Sequence, residues 1–128
     1  MPIRVVRLGS PRLPDEGLRI GTVRRPPRGV PKTEFAARDF YDTWLPELAP
    51  SQDLVTRALS AESDAEWAAF VRGYRKEMSQ PGARHLLDLL ADLSHTSSCA
   101  VGCYCRDEAR CHRSVLRELL AERGAELA

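Results

Sequence analysis

Two short runs near the start of the chain have the pattern of β-strands. Ile3 to Leu8 is a β-like apolar run, and Leu18 to Val23 alternates apolar and polar residues well enough for a second strand. The segment between them, Gly9 to Gly17, holds two glycines and two prolines and predicts a loop. Arg24 to Lys32, with three prolines and one glycine, excludes regular structure. Phe35 to Leu48 is aromatic and ambiguous, although its proline interrupts any helix.

From Pro50 onward the pattern becomes helical. Ser51 is a candidate cap for a short helix that runs to about Leu59. Ser63 and Glu66 have the spacing of a capping box, in which the serine bonds a free amide and the glutamate reaches back. The apolar residues that follow repeat at helical spacing and predict one face of an amphipathic helix. They are Trp67, Phe70, Val71, Tyr74 and Met78.

Two more helices and one strand complete the pattern. Pro81-Gly82 breaks the aromatic helix, and the leucines from Leu86 to Leu93 predict another helix. Cys99 to Cys105 is a short apolar run with the length of a buried strand. After a polar loop, Val115 to Leu120 mark a last helix that stops at Gly124.

This order of elements predicts an α/β fold. We expect a single small domain over residues 1–128, with a short, largely parallel sheet flanked by helices in a three-layer arrangement. Ligands of such folds bind at the carboxyl ends of the strands, near helix N-termini. This rule places a candidate site at Cys105 to Ser114.

Composition and charge narrow the classes of function. The 128 residues are 43% hydrophobic and 29% charged, which excludes a disordered chain. The net charge of +1 argues against tight binding of nucleic acid. No stretch approaches the ~18 apolar residues of a membrane helix, and no signal-peptide region fits between the early charges. We therefore expect a cytoplasmic protein with reduced cysteines and no membrane partner.

All four cysteines lie within thirteen residues, which points to a local site or a local strand. On a strand, Cys103 and Cys105 would share one face, and Cys111 and His112 follow at the start of the last helix. Three thiolates and one imidazole from these four residues suit a metal, zinc or iron. However, the spacing is not a familiar zinc pattern, and adjacent Cys111 and His112 have difficulty reaching one ion from a regular helix. Alternatively, Cys99 and Cys103 are small buried hydrophobic residues.

The same segment also suits an anion. A helix N-terminus carries about half a unit of positive charge. Arg106, Arg110 and Arg113 add full charges there. Together these groups would hold a phosphate or another small anion. Ser114 either caps the helix or contacts the same anion.

A thiolate would be stabilised by the same positive charge, since that charge lowers a cysteine pKa. Cys105 is the first candidate nucleophile and Cys111 the second. His112 is a candidate for proton transfer because an ordinary histidine titrates near neutral pH. It is alternatively a metal ligand or a solvated residue of the first turn.

A basic stretch precedes the middle of the chain, with no acidic residue between Gly17 and Thr33. It is either a solvated loop or the second wall of a phosphate pocket. If the loops after Val23 and Cys105 leave the same edge of the sheet, their arginines converge on a nucleotide, a sugar phosphate or a nucleic-acid end. The stretch contains Arg19, Arg24, Arg25, Arg28 and Lys32.

Four segments of the chain resemble domain-of-unknown-function family 488, the YeaO-like proteins. They are PDEGLRI at Pro14 to Ile20, PRGVPK at Pro27 to Lys32, YDTWLPELAPS at Tyr41 to Ser51, and CRDEARCHRSVLRELL at Cys105 to Leu120. The resemblance spans nearly the whole chain. It implies a small bacterial α/β domain in the cytosol and implies no particular activity.

The loop from Cys105 to Arg110 also resembles the active-site loop of rhodanese-like sulfurtransferases, where a cysteine is activated by backbone amides and positive charge. Three hypotheses follow. The first is a small anionic ligand bound at Cys105 to Ser114, with or without cysteine-thiolate chemistry. The second is a zinc or iron module. The third is a non-catalytic regulatory protein that binds a nucleotide. The sequence leaves the ligand and the oligomeric state open.

Overall fold

The structure is a computed structural model that describes residues 2–128. Within these residues the chain forms four strands: β1 (Ile3–Arg7), β2 (Leu18–Gly21), β3 (Thr43–Trp44) and β4 (Cys99–Cys103). Over the same residues it forms four α-helices: α1 (Gln52–Ser60), α2 (Asp64–Met78), α3 (Pro81–Leu93) and α4 (His112–Glu122). Short 3-10 helices lie at Lys32–Glu34, Pro46–Leu48 and Glu108–Arg110.

The strands form a parallel sheet in the order β1-β4-β2-β3, which confirms the predicted α/β fold class. β4 lies inside the sheet, where Cys99 aligns with Ile3 on one side and with Leu18 on the other. Parallel strands that follow one another along the chain need long crossover connections, and α1 to α3 supply the one from β3 across β2 to β4. Since all strands run the same way, their carboxyl ends share one edge. Thr22 and Tyr104 follow β2 and β4 at that edge.

Both predicted serine caps are confirmed. The Ser51 hydroxyl accepts the backbone N–H of Leu54 at 3.4 Å, and the Ser63 hydroxyl accepts that of Glu66 at 3.1 Å. The Glu66 carboxylate reaches back to the backbone N–H of Glu62 at 3.4 Å, one residue beyond the expected partner. Each bond satisfies an amide that the helix itself leaves free.

The break between α2 and α3 falls earlier than expected. α2 ends at Met78, and Pro81 and Gly82 are the first residues of α3. Proline is well placed there, because the first N–H of a helix has no partner within the helix. None of the helices in residues 2–128 combines the length and the apolar character that crossing a membrane requires.

One apolar core joins the helices to the sheet. Ile3, Ile20, Cys99 and Val101 are the buried strand residues at its base. The aromatic face of α2 packs into it as predicted, with Phe70 and Tyr74 buried and Trp67 and Val71 partly buried. The helices α1, α3 and α4 add leucines and smaller side chains to the same cluster.

Arg19 belongs to the predicted basic stretch in the sequence, but it is neither in a solvated loop nor in a pocket wall. Its side chain is fully buried, and two of its nitrogens donate to the Glu16 carboxylate at 2.8 and 3.0 Å. A third nitrogen donates to the backbone carbonyls of Ser10 and Asp39, both at 2.7 Å. Arg19 is therefore a structural ion that fastens two loops to β2, and it does not belong to a surface pocket.

Candidate functional site

The candidate site lies at the carboxyl edge of the sheet, between β4 and α4. β4 ends at Cys103, so Cys105 lies two residues beyond the strand and is exposed. The prediction that Cys103 and Cys105 share one face of a strand is therefore wrong, because the chain leaves the sheet at Tyr104. α4 begins at His112, directly after Cys111.

Three thiols come together at this edge, and we call Cys103, Cys105 and Cys111 the thiol cluster. The Sγ atoms of the buried Cys103 and Cys111 lie 2.7 Å apart, and both thiols influence the pKa of the neighbouring Cys105. Cys103, Cys111 and His112 form a group that could hold a metal ion, since their ligand atoms lie within 4.8 Å of one another. Cys99 is buried at the opposite end of β4.

The backbone of Cys111 explains how two adjacent residues reach one centre. Cys111 is extended, with φ −132° and ψ 152°, and it caps α4 by accepting the backbone N–H of Arg113 at 3.5 Å. Its Sγ lies 3.8 Å from Nδ1 of His112. We expected a regular helix to keep adjacent Cys111 and His112 from reaching one ion. Cys111 lies before the helix, so this difficulty does not arise. Ser114, the predicted cap, instead donates its hydroxyl to the Cys111 carbonyl oxygen at 2.9 Å.

His112 is buried and fixed in one orientation. Its Nε2 donates to the backbone carbonyl oxygen of Thr22 at 2.7 Å. The proton therefore resides on Nε2, which leaves Nδ1 free to accept a hydrogen bond or to bind a metal. Burial lowers the pKa of His112 from 6.5 to about 4. His112 is thus neutral at physiological pH. The alternative of a solvated residue of the first turn is wrong, because the side chain is buried.

Arg113 is a buried cation that makes no ion pair, although the charge of Glu108 also raises its pKa. Only 3% of its surface is exposed, and within residues 2–128 no carboxylate lies within 4.0 Å of its guanidinium. One of its terminal nitrogens donates to the Cys105 carbonyl oxygen, and its Nε has no partner among the described atoms. A buried charge needs compensation, so this environment favours a negative group in the adjoining thiol cluster.

The thiol cluster has one member suited to carry that negative charge. Hydrogen bonds from Cys103 and Cys111, followed by the charge of Arg113, hold the pKa of Cys105 far below its usual value of 9. Hydrogen bonds to Cys105 and Cys111 and burial raise the pKa of Cys103. The exposed thiol is therefore the thiolate, and the buried Cys103 keeps its proton.

A cavity of about 290 Å³ opens beside the cluster, and we call it the arginine cavity. Its wall includes Cys105 and the side chains of Arg24, Arg25 and Arg28 from the proline-rich loop after β2. Within residues 2–128, none of these three arginines has a carboxylate within 4.0 Å. Tyr104 also lines the cavity and donates its hydroxyl to the Arg25 carbonyl oxygen at 2.9 Å, which ties the loop to the end of β4.

The fold and this edge of the sheet can now be compared with known proteins. A family model described as DUF488-N3a, the active DUF488-N3 subclade, matches residues 3–124. The chain belongs to this family. The expected membership of family 488 is thereby confirmed, and the match includes every strand, every helix and the whole thiol cluster. Searches of curated proteins and of solved structures returned no match. The likeness of the Cys105 loop to rhodaneses stays a prediction.

In this DUF488-N3a member, several predicted anion-binding residues lie away from the arginine cavity. Arg110 pairs with Asp64 at 2.7 Å and lies over the ring of Trp67, 5.6 Å from its centre. Arg106 is exposed and is not part of the cavity wall. Arg113 lies behind the thiols, where it is buried. The side chains that face the cavity come instead from the loop after β2.

Sequence reasoning missed Thr22 and Tyr104. Thr22 contributes its backbone carbonyl to His112, which no sequence pattern can signal. Tyr104 lies between two cysteines, and its hydroxyl finds a partner 79 residues earlier in the chain. The one available signal was position, because both residues directly follow neighbouring parallel strands.

Proposed function

We propose that this protein is an enzyme in which Cys105 is the nucleophile and in which Arg24, Arg25 and Arg28 hold an anionic group of the substrate, such as a phosphate. The observation that carries the proposal is that an exposed thiol and three arginines without carboxylate partners line one cavity. The description of the family as an active subclade also favours a chemical activity over a purely structural role.

The surroundings of Cys105 support nucleophilic catalysis. The thiolate is the reactive form of cysteine, and it is stabilised by nearby positive charge and hydrogen-bond donors. Cys103 and Cys111 supply the donors from behind, and Arg113 supplies a buried charge. The exposed side of Cys105 remains open to a substrate.

The proline-rich loop supports recognition of an anion. Arg24 bonds the carbonyl oxygens of Ala49 and Pro50, and Arg25 bonds the side-chain oxygen of Gln52. These neutral partners position the guanidinium groups without cancelling their charge. Arginine suits phosphate and carboxylate because its planar fork can donate two parallel hydrogen bonds.

The chemistry that follows is a nucleophilic displacement. The Cys105 sulfur forms a bond to an electrophilic atom of the substrate while that atom loses its bond to a leaving group, which departs with the electron pair. The anionic group on the arginines fixes the distance and angle of the attack. Positioning of this kind converts a bimolecular encounter into an intramolecular step.

Alkylation with two reagents of different charge tests both halves of the proposal. Iodoacetamide is neutral and iodoacetate is an anion, so the ratio of their rates at Cys105 reports the local charge. We expect Cys105 to be labelled before the other cysteines by both reagents. We expect Arg28→Gln to lower the iodoacetate rate roughly three- to tenfold while leaving the iodoacetamide rate unchanged. Arg84→Gln, an exposed position on α3, is the matched control and should change neither rate.

The outcomes separate the hypotheses. A Cys105 that reacts no faster than a buried cysteine contradicts the nucleophile. Equal effects of Arg28→Gln and Arg84→Gln contradict the anion site. Tight binding of pyrophosphate together with an inert Cys105 would instead indicate the non-catalytic, nucleotide-binding role.

A metal centre is the second candidate, because one observation favours it. Nε2 of His112 donates to a backbone carbonyl, an arrangement common in metal-binding histidines, and Nδ1 faces Cys111. Cys103, Cys111 and His112, with Cys105 as a fourth ligand, would hold zinc or iron. Tetrahedral zinc with bonds of about 2.3 Å keeps two sulfurs about 3.8 Å apart. The 2.7 Å between Cys103 and Cys111 would have to widen, so the nucleophile ranks first.

Cobalt(II) titration of the reduced protein tests the metal centre. A centre on these residues predicts one ion per chain, a thiolate-to-cobalt absorption band, and loss of the band in Cys103→Ser. Cys99→Ser is the control and should keep the band, since Cys99 lies at the other end of β4. No band, or a band that survives Cys103→Ser, contradicts this second candidate.

A further inference from the structure

We propose that Cys111 is a resolving cysteine for Cys105, and that the protein reduces small disulfides that carry an anionic group. This inference rests on the proposed function, since it takes Cys105 as the nucleophile. It adds the chemical class of the substrate and the fate of the covalent adduct. The carrying observation is that Cys103 and the exposed Cys105 line one cavity, and that the buried Cys111 sulfur lies 2.7 Å from that of Cys103.

When a nucleophilic cysteine has thiols as neighbours, one of those thiols can displace a covalent adduct from it. A mixed disulfide formed at Cys105 has a second sulfur nearby, because Cys103 lines the same cavity and Cys111 adjoins Cys103. Attack by that second sulfur forms a disulfide within the chain and releases the adduct. In an enzyme that hydrolyses its covalent adduct with water, two thiols at this place would compete with the water for the adduct.

Cys111 is better placed to attack than Cys103. Cys103 is held within β4, whose residues pair with β1 and β2 on both sides. Cys111 lies outside the sheet at the N-terminus of α4, where it accepts the backbone N–H of Arg113 at 3.5 Å. Its thiol also faces the free Nδ1 of His112 at 3.8 Å. The Arg113 amide favours negative charge on the Cys111 sulfur as it attacks, and Nδ1 can accept a hydrogen bond from its thiol.

The reaction balances with the disulfide as the only oxidant. The Cys105 thiolate attacks one sulfur of the substrate, the substrate S–S bond breaks, and the first thiolate leaves with the electron pair. The Cys111 sulfur then attacks Cys105, the mixed disulfide breaks, and the second thiolate leaves. The proton of the Cys111 thiol passes to a released thiolate. Two electrons have moved from the two cysteines to the substrate, and an external thiol returns the protein to its reduced form.

The arginine cavity selects which disulfides enter. Arg24, Arg25 and Arg28 line the cavity that contains Cys105, and they carry positive charge without carboxylate partners. A disulfide bearing carboxylates is therefore favoured over a neutral one. We expect oxidised glutathione to react roughly tenfold faster than 2-hydroxyethyl disulfide, and we expect Arg28→Gln to remove most of that preference.

Intact-protein mass spectrometry after mixing reduced protein with oxidised glutathione tests the proposal. The wild-type chain should lose two hydrogens, carry no lasting adduct, and show a Cys105–Cys111 disulfide on peptide mapping. Cys111→Ser should accumulate one glutathione on Cys105. Serine is a good helix cap, so this variant should keep α4, and its circular dichroism and thermal unfolding check that it does. Cys103→Ser should still form the Cys105–Cys111 disulfide and carry no lasting adduct, and Cys99→Ser, at the other end of β4, should behave as the wild type.

The failures are distinguishable. A lasting adduct on the wild type, or one on Cys103→Ser and none on Cys111→Ser, overturns the resolving role of Cys111 and leaves the nucleophile intact. Equal rates with the two disulfides overturn the anionic substrate class. A Cys105 that forms no adduct in any variant overturns the proposed function itself.

Discussion

Nε2 of His112 donates a hydrogen bond of 2.7 Å to the backbone carbonyl oxygen of Thr22. This bond joins the first residue of α4 to the segment that follows β2, 90 residues earlier in the chain. It fixes the tautomer of the imidazole and turns Nδ1 toward Cys111. The geometry of the thiol cluster therefore depends on where β2 ends as well as on the cysteines themselves.

The buried His112 makes stability depend on pH. Its folded pKa of about 4 lies below the ordinary 6.5, so the unfolded chain binds more protons between these values. Stability is therefore present above pH 6.5 and is lost as the pH falls toward 4. We expect the free energy of unfolding to drop by about 2 kcal/mol between pH 7 and pH 5. Urea denaturation at the two pH values measures this, and an equal drop in His112→Asn would show that another group is responsible.

The buried pair of Arg19 and Glu16 predicts a strong effect of one substitution. Glu16→Gln leaves the Arg19 guanidinium buried without a carboxylate, which costs about 3–5 kcal/mol of stability. Asp53→Asn breaks an exposed pair with Arg57 and should cost about 0.5 kcal/mol or less. Denaturant unfolding at pH 7 compares the two variants. Similar losses for both would contradict the structural role of Arg19.

Arg113 should control the reactivity of Cys105 from behind the cluster. Arg113→Met removes a buried charge that lowers the pKa of Cys105, so the midpoint of the alkylation rate against pH should move to higher pH. Arg113→Lys keeps the charge and should retain more of the rate. Alkylation kinetics of Cys105, read by mass spectrometry, compare the variants. If Arg113→Met and the wild type show the same dependence of the rate on pH, Arg113 has no influence on the reactivity of Cys105.

Much of the fold follows from local signals in the sequence. The period of the apolar residues locates α2, and serine side chains at Ser51 and Ser63 mark where helices begin. The short apolar runs give β1, β2 and β4 to within a few residues. The parallel sheet follows because the last strand is apolar throughout and is separated from the first two by helices.

The details of the site depend on contacts that local signals do not carry. The partner of Arg110 is Asp64, 46 residues away, so the sequence could not show that this arginine turns from the cavity. Arg28 and Cys105 line one cavity. The sequence predicts this only if the loops that carry them leave the same edge of the sheet. That condition holds because β2 and β4 are neighbours.

Cys111 shows the same limit in another way. Its place beside His112 was expected to keep the two from one centre, since a regular helix directs adjacent side chains apart. The extended backbone at the cap removes that obstacle. Cys111 faces the thiol cluster because it lies one residue before α4, at the cap, and not within the helix.

The pH profile of iodoacetamide labelling at each cysteine tests the central claim most directly. The rate at Cys105 should change less than twofold between pH 8 and pH 6, because its low pKa keeps it ionised throughout this range. An ordinary thiol slows about a hundredfold over the same two units. Cys99, whose pKa is raised by burial, is the internal comparison. A rate at Cys105 that falls about tenfold with each unit would contradict the account of Cys105 as a nucleophile.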